Sequence, residues 1–80
     1  MNLYFSRHAR NRMRRFGVSP GEVEQLLEGP DHTESGEKGR RNAWRKRNDR
    51  YIRVTYVEEQ ERTVVVTVTL KDRLPKGGIA

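Results

Sequence analysis

One stretch of the chain mixes cationic and aromatic side chains at spacings typical of strands. Residues 40–53 carry seven Lys or Arg residues against a single acid, Asp49. Guanidinium groups bind phosphates in bidentate fashion, and aromatic rings stack on unpaired bases. The stretch therefore predicts a surface for single-stranded RNA. The candidate contacts within it are Arg41, Trp44, Arg45, Lys46, Arg47, Tyr51 and Arg53.

The two aromatic residues each have a second interpretation. Trp44 follows Ala43 in a strand-like segment, where a tryptophan serves equally well as part of the core. Tyr51 begins a strand, where it can be a surface residue without a role. The cations can likewise be the solvated face of a small domain, although a basic surface of this kind attracts polyanions.

A second basic stretch surrounds a histidine. Residues 1–17 hold five arginines and no acid, and His8 is the only histidine predicted to lie on a regular element. Histidine is the side chain most often used as a general base, so His8 is a candidate base. The alternative for His8 is a structural one, a hydrogen bond to the backbone on the flank of a helix.

The remaining charge pattern separates these two stretches. Residues 20–39 carry six acids against one lysine, and the whole chain has a net charge of +6. Two basic blocks with an acidic block between them predict one basic surface rather than a uniformly basic coat. The partner expected from this pattern is RNA, or an acidic protein that covers an RNA-facing surface.

Several classes of site are absent from the sequence. There is no cysteine, no metal-ligand spacing and no phosphate-binding glycine loop, so no metal or cofactor is expected. The start of the chain lacks the pattern of a secretory signal, and the longest apolar run, Val64 to Val66, is too short to cross a bilayer. These features favour a cytoplasmic protein with no membrane partner.

Two short helices are predicted near the N-terminus. Ser6 caps the first, in which Phe5, Ala9, Met13 and Phe16 form one apolar stripe, and Gly17 ends it. The second starts with Ser19, Pro20 and Glu22, a capping box with proline at the first helical position. Each helix has one apolar side, so both need a sheet to cover.

The rest of the chain predicts that sheet. Residues 31–39 have no periodicity and are interpreted as a mobile connection, with room for a short strand at its start. Strands follow within residues 40–47, after the Asn48-Asp49 turn, and from Thr63 to Leu70. We therefore predict an α+β fold, with two helices on one face of a three- to four-stranded antiparallel sheet. Residues 1–72 form the single domain, and residues 73–80 form a flexible tail.

Most of the chain resembles a known family of small bacterial proteins. The segments Phe5 to Met13, Phe16 to Ser19 and Glu22 to Leu27 look like those of domain of unknown function 4258 (DUF4258). The strands that contain Arg53 to Tyr56 and Val64 to Val68 fit the same pattern. The resemblance covers roughly residues 3–70, and its most specific element is the histidine–arginine–methionine spacing followed by Gly17-Val18-Ser19.

That family in turn resembles the RelE/ParE toxin superfamily, including BrnT-like toxins. The resemblance implies a ribonuclease that cleaves RNA without a metal, including mRNA on the ribosome, and that an acidic antitoxin neutralises. A base removes the proton of the ribose 2′-hydroxyl, cations stabilise the transition state, and an acid protonates the leaving oxygen. His8, Lys46 and Tyr51 are the candidate catalytic residues, with Arg12 added to the phosphate ligands. Such toxins also use basic residues near the C-terminus, and Lys71 and Arg73 are the nearest candidates here.

Three hypotheses for function remain open from the sequence. The first is a toxin-like RNA-binding protein that acts as a metal-independent endoribonuclease. The second is a non-enzymatic basic module that binds an acidic protein or nucleic acid. The third is an inactive relative of a toxin that retains the fold for an interaction.

Overall fold

The computed structural model describes residues 2–75, which form two helices and five strands. In chain order the elements are β1 (Leu3–Phe5), α1 (Arg7–Phe16), α2 (Pro20–Glu28), β2 (His32–Ser35), β3 (Arg41–Arg47), β4 (Arg50–Glu58) and β5 (Thr63–Lys71). The predicted α+β class, with two helices and a sheet, is confirmed. Residues 76–80 of the predicted tail lie outside the described residues, and residues 73–75 follow β5.

The sheet is larger than predicted and is mixed rather than antiparallel. Its strand order is β1-β5-β4-β3-β2, and β1 pairs with β5 in parallel, with Tyr4 opposite Val64. The other neighbouring strands are antiparallel. Periodicity over three residues is too short to reveal a strand partner, so the parallel pairing of β1 could not be read from the pattern of apolar residues.

Helix α1 begins and ends as the sequence predicts. The Ser6 hydroxyl accepts a 3.0 Å hydrogen bond from the backbone nitrogen of Ala9 and donates a 2.8 Å bond to the carbonyl oxygen of Val66. The cap therefore also ties the start of α1 to β5. Gly17 ends the helix in the left-handed conformation, with φ of 66°, where a residue with a Cβ would be strained.

Helix α2 has the predicted capping box. The Ser19 hydroxyl accepts from the backbone nitrogen of Glu22 at 3.1 Å, and the Glu22 carboxylate accepts from the backbone nitrogen of Ser19 at 3.0 Å. Val23 and Leu26 are fully buried under this helix. They meet Ala9 and Met13 of α1 in one core above the sheet.

The sheet contributes its apolar face to this core, with one change from the predicted alternation. Val65 and Val68 of β5 are both completely buried although they are three residues apart. The pairing explains this: Thr55 faces Thr67, but Tyr56 faces Val65, so Val66 is an extra residue in a β-bulge. The bulge shifts the inward-facing positions by one residue along β5.

Residues 32–35 form an edge strand at the start of the segment that was interpreted as a mobile connection, where the sequence left room for a short strand. His32 pairs with Trp44 and Glu34 with Asn42 at the edge of β3. The prediction that His8 is the only histidine on a regular element was therefore wrong. His-Thr-Glu-Ser has no apolar residue to produce an alternating pattern, and hydrogen bonds to β3 hold this strand in place.

Candidate nucleic-acid interface

The two faces of the sheet divide the predicted site residues. Alternate residues of a strand point to opposite faces, so the pairing decides which side chains lie together. Both helices pack on the face that carries Val54, Val65 and Val68, here called the helix-covered face. The other face, here called the open face, is not covered by α1 or α2. Its polar and aromatic members are Tyr4, His32, Glu34, Asn42, Trp44, Lys46, Tyr51, Arg53, Thr55, Thr67, Thr69 and Lys71.

Three of the predicted phosphate ligands lie on the helix-covered face. Arg41, Arg45 and Arg47 of β3 are cross-strand partners of Tyr56, Ile52 and Arg50. The Arg45 guanidinium donates a 3.0 Å hydrogen bond to the carbonyl oxygen of Gln25 in α2. These side chains therefore do not share a surface with Trp44 and Lys46. The prediction that residues 40–53 form one RNA surface was wrong in this respect.

Arg47 joins both helices to the sheet. Its guanidinium donates to the carbonyl oxygens of Phe16, at 3.3 Å, and Gly17, at 2.9 Å, and its Nε lies 3.4 Å from a carboxylate oxygen of Glu22. The last carbonyls of a helix lack partners within the helix, and a cation satisfies them well. The position of Arg47 in the fold is explained by this structural role.

The open face carries a row of two lysines around a tyrosine. Lys46, Tyr51 and Lys71 are direct cross-strand neighbours on β3, β4 and β5. Directly opposed residues have Cβ atoms about 5 Å apart. Lys46 is exposed, while Tyr51 and Lys71 are half-buried. An amphipathic ring flanked by two ammonium groups combines a stacking surface with two phosphate ligands.

The next row places an arginine over a tryptophan. The Arg53 guanidinium lies 5.6 Å from the centroid of the Trp44 ring and donates a 3.4 Å hydrogen bond to the Thr69 hydroxyl. Trp44 is only 4% exposed, so its ring packs under its neighbours instead of presenting a free face. Arg53 thus lies behind the lysine–tyrosine row, with its Nε buried and without a hydrogen-bond partner in the described residues.

A chain of hydrogen bonds on the same face holds the side chain of Trp44 in position beside Arg53. One carboxylate oxygen of Glu34 accepts from Trp44 Nε1 at 3.3 Å and from the Asn42 side-chain nitrogen at 3.2 Å. The Asn42 side-chain oxygen accepts a 2.6 Å bond from the Thr55 hydroxyl. His32 Nε2 lies 3.8 Å from the other oxygen of Glu34. Glu34, Asn42 and His32 were not among the predicted site residues. Glu34 and His32 lie in residues 31–39, which were interpreted as a connection, and Asn42 is an uncharged residue within a predicted strand.

The predicted catalytic residues are not brought together. Lys46 and Tyr51 are neighbours on the open face, but His8 is exposed on α1, which packs against β5 on the helix-covered face. Arg12, on the same helix, is half-buried and lies on that side as well. Arg73, beyond β5, is exposed near the end of the lysine–tyrosine row.

A second cationic surface lies on the outside of α1. Arg7, Arg10, Asn11 and Arg14 surround an open hollow of about 430 Å³. Among residues 2–75, no carboxylate lies within 4 Å of these three guanidinium groups, whereas Arg47, Arg50 and Arg62 each have one. The basic character of α1 is thus displayed to solvent, while much of that in β3 is used inside the fold.

Within the described part of the chain, no helix is long and apolar enough to cross a membrane. The same residues contain no cluster of three His, Asp or Glu side chains arranged to hold a metal ion.

Comparison with known protein families identifies a match that covers most of the chain. The family described as Domain of unknown function (DUF4258) matches residues 5–69. Neither the curated proteins nor the solved structures provide a match. The family match extends from the last residue of β1 to Thr69 in β5, so it includes both helices and most of the open face but not Lys71.

Proposed function

Because the chain belongs to the DUF4258 family, whose description names no activity, we propose a function from the open face: it binds single-stranded RNA there. The observation that carries the proposal is the row of Lys46, Tyr51 and Lys71 on three adjacent strands. Arg53 adds a third cation immediately behind Tyr51. A net charge of +6 adds a general attraction for polyanions.

The arrangement suits an unpaired strand better than a duplex. Strands of a sheet present a broad surface on which successive bases can be splayed and stacked, and stacking on one ring is worth about 1–3 kcal/mol per base. Lysines on both sides of the ring place positive charge where the phosphates before and after a stacked base would lie. Trp44 supports this surface from beneath, since it positions the guanidinium of Arg53.

Cleavage of the bound RNA is the second candidate function, and the placement of Lys46 directly opposite Tyr51 on neighbouring strands favours it. Metal-independent cleavage needs a proton acceptor near the 2′-hydroxyl, a proton donor near the leaving oxygen, and cations around the phosphate. Lys46 and Tyr51 are adjacent groups able to exchange protons, and Lys71 and Arg53 supply positive charge. On this proposal the chain is a RelE/ParE-like, BrnT-like toxin in the cytoplasm, with ribosome-associated mRNA as a target and an acidic antitoxin as its partner.

RNA binding is tested by titrating the protein into a fluorescent polyuridine oligonucleotide at several salt concentrations. Replacing both lysines, Lys46→Ala with Lys71→Ala, should weaken binding at least tenfold at low salt. It should also reduce the slope of log K against log salt by about 1.4, because each phosphate contact on a single strand contributes about 0.7.

The matched control removes one charge from a distant position. Lys38 is exposed in the turn between β2 and β3 with φ of 56°, a conformation that asparagine tolerates. Lys38→Asn should change the affinity by less than twofold. Equal losses from the Lys38 variant and from single replacement of Lys46 or Lys71 would show general electrostatic attraction and exclude the open-face site.

Cleavage is tested with the same RNA in EDTA, by separating the products and examining their 3′ ends for a cyclic phosphate. Tyr51→Phe retains the stacking ring but removes the hydroxyl, so it should retain binding and abolish cleavage. His8→Ala, on the far side of the sheet, should leave both intact. If the RNA stays intact with every preparation, the cleavage hypothesis is excluded and the binding proposal is unaffected.

A further inference from the structure

An apolar groove lies on the helix side of the molecule, away from the open face. It runs between the last turns of α1 and the start of α2 and has a volume of about 390 Å³. Pro20 is exposed beside it, Met13 and Val18 form its floor with 5% of each residue exposed, and Arg10 and Arg14 stand on its rim. Gly17 lies in the groove with no side chain to fill it. The groove is therefore a shallow apolar depression bordered by positive charge.

The charge around the groove has one sign on its α1 side. Arg10 and Arg14 are four residues apart, so they lie on the same side of the helix on successive turns. Arg14 donates a 2.6 Å hydrogen bond to the side-chain oxygen of Asn11, which helps to orient its guanidinium. Neither arginine has a carboxylate within 4 Å among residues 2–75, and α1 itself has no acidic residue.

From this combination we propose that the groove docks an acidic amphipathic peptide segment of a partner protein. One apolar side chain of the segment packs on Met13, Val18 and Pro20. Carboxylates on either side of it pair with Arg10 and Arg14 in the bidentate geometry that guanidinium groups favour. The charge complementarity identifies the partner as acidic, and the apolar floor identifies it as a peptide.

A nucleic acid fits this groove less well. A phosphate backbone has no aliphatic side chain to cover an apolar surface. Its natural place on α1 is the neighbouring polar hollow, where Arg7 and Asn11 join the two arginines that also border the groove. The groove and the open face lie on opposite sides of the sheet. A partner in the groove therefore leaves Tyr51 accessible, and the peptide and RNA should bind at the same time.

The test uses three synthetic helical peptides of about sixteen residues, which form more than four turns. The first has leucines on one face flanked by glutamates, the second has lysines in place of the glutamates, and the third has serines in place of the leucines. Fluorescence anisotropy measures binding to the full chain. The first peptide should bind at least tenfold more tightly than either of the others.

Protein variants locate the site. Arg10→Glu places a like charge on the rim, and Pro20→Glu adds a carboxylate at the first position of α2, where an acid is compatible with the helix. Each should weaken binding of the first peptide about tenfold or more. Arg7→Glu, the matched control on the same helix, lines the polar hollow but not the groove, and should change binding less than threefold.

Pairing a charge-reversed protein variant with a charge-reversed peptide distinguishes a lost contact from an unfolded protein. Arg10→Glu should gain affinity for the lysine peptide, which an unfolded protein would not do selectively. Equal binding of the leucine and serine peptides, or competition of the first peptide by polyuridine, would overturn the proposal in favour of a general polyanion surface. Equal losses from Arg7→Glu and Arg10→Glu would do the same. Loss of RNA binding in the open-face variants has no bearing on these outcomes.

Discussion

The arginines of β3 and those of α1 are similar in sequence but different in the structure. Arg45 and Arg47 donate to backbone carbonyls of the helices, and Arg47 also pairs with Glu22. Arg7, Arg10 and Arg14 face solvent without a carboxylate partner in residues 2–75. The density of positive charge along a sequence therefore does not show where charge is available for a ligand.

The difference has a physical cause. A guanidinium with several donors can satisfy helix carbonyls that have no partner of their own, and its long stem can pack on the way. An arginine in a strand next to helix ends is well placed to do this. An arginine on the outer side of an isolated surface helix has only water and a binding partner available.

The largest effect should come from removing the anchor between helices and sheet. Arg47→Ala eliminates two hydrogen bonds to carbonyls, the pair with Glu22 and the packing of the side-chain stem. We expect a loss of about 2 kcal/mol in the free energy of unfolding, measured by urea denaturation. The equivalent change on α1, Arg7→Ala, should cost less than about 0.5 kcal/mol. Similar losses in the two variants would remove the distinction between the regions.

A smaller loss of stability should follow from replacing Arg53 at the open face, where the guanidinium has partners within the fold and also lies near the proposed ligand. Arg53→Lys retains the charge but loses the planar contact with Trp44 and the bond to Thr69. The expected loss is about 1 kcal/mol in stability, measured as a decrease of roughly 4–8 °C in Tm for a domain of this size. Trp44→Phe in the Arg53→Lys background should add less than in the native chain, because the two side chains act together. Strictly additive losses would contradict the contact.

The smallest effect should be a gain in stability, on the outer side of α1. Arg10 and Arg14 are like charges four residues apart, and such a pair destabilises a helix by about 0.2–0.5 kcal/mol. Arg10→Gln should therefore raise Tm slightly at low salt, and the gain should disappear in concentrated salt as the charges are screened. A decrease in Tm at low salt would reveal a stabilising contact of Arg10.

Much of the local structure could be predicted from individual residues. Ser6, Gly17 and the Ser19–Glu22 capping box mark helix ends through backbone chemistry that operates over three or four residues. The Asn48-Asp49 turn pairs Arg47 with Arg50, which by itself places Lys46 opposite Tyr51. The sequence therefore contains enough information to predict this pairing. It also implies that the β3 cations alternate between the two faces, which the prediction of one RNA surface did not take into account.

Other features depended on parts of the chain that are distant in sequence. β1 is held by parallel pairing with β5, about sixty residues away, and β2 is a strand only because β3 offers it hydrogen bonds. The bulge that exchanges the inward positions of β5 arises from pairing with β4. Local propensity contains none of this information, because the partners are chosen by packing.

The sequence alone determined the ends of the helices, the alternation of β4 and the separation of charge into blocks, since each depends on neighbours within a few residues. Only the tertiary structure decided which basic side chains are free. Docking of the helices covers the face with Arg41, Arg45 and Arg47 and leaves Lys46, Tyr51 and Lys71 open. Burial of the apolar residues decides which face is covered, because Val54, Val65 and Val68 pack beneath α1 and α2. The face on which each cation lies is then fixed by its position in the strand.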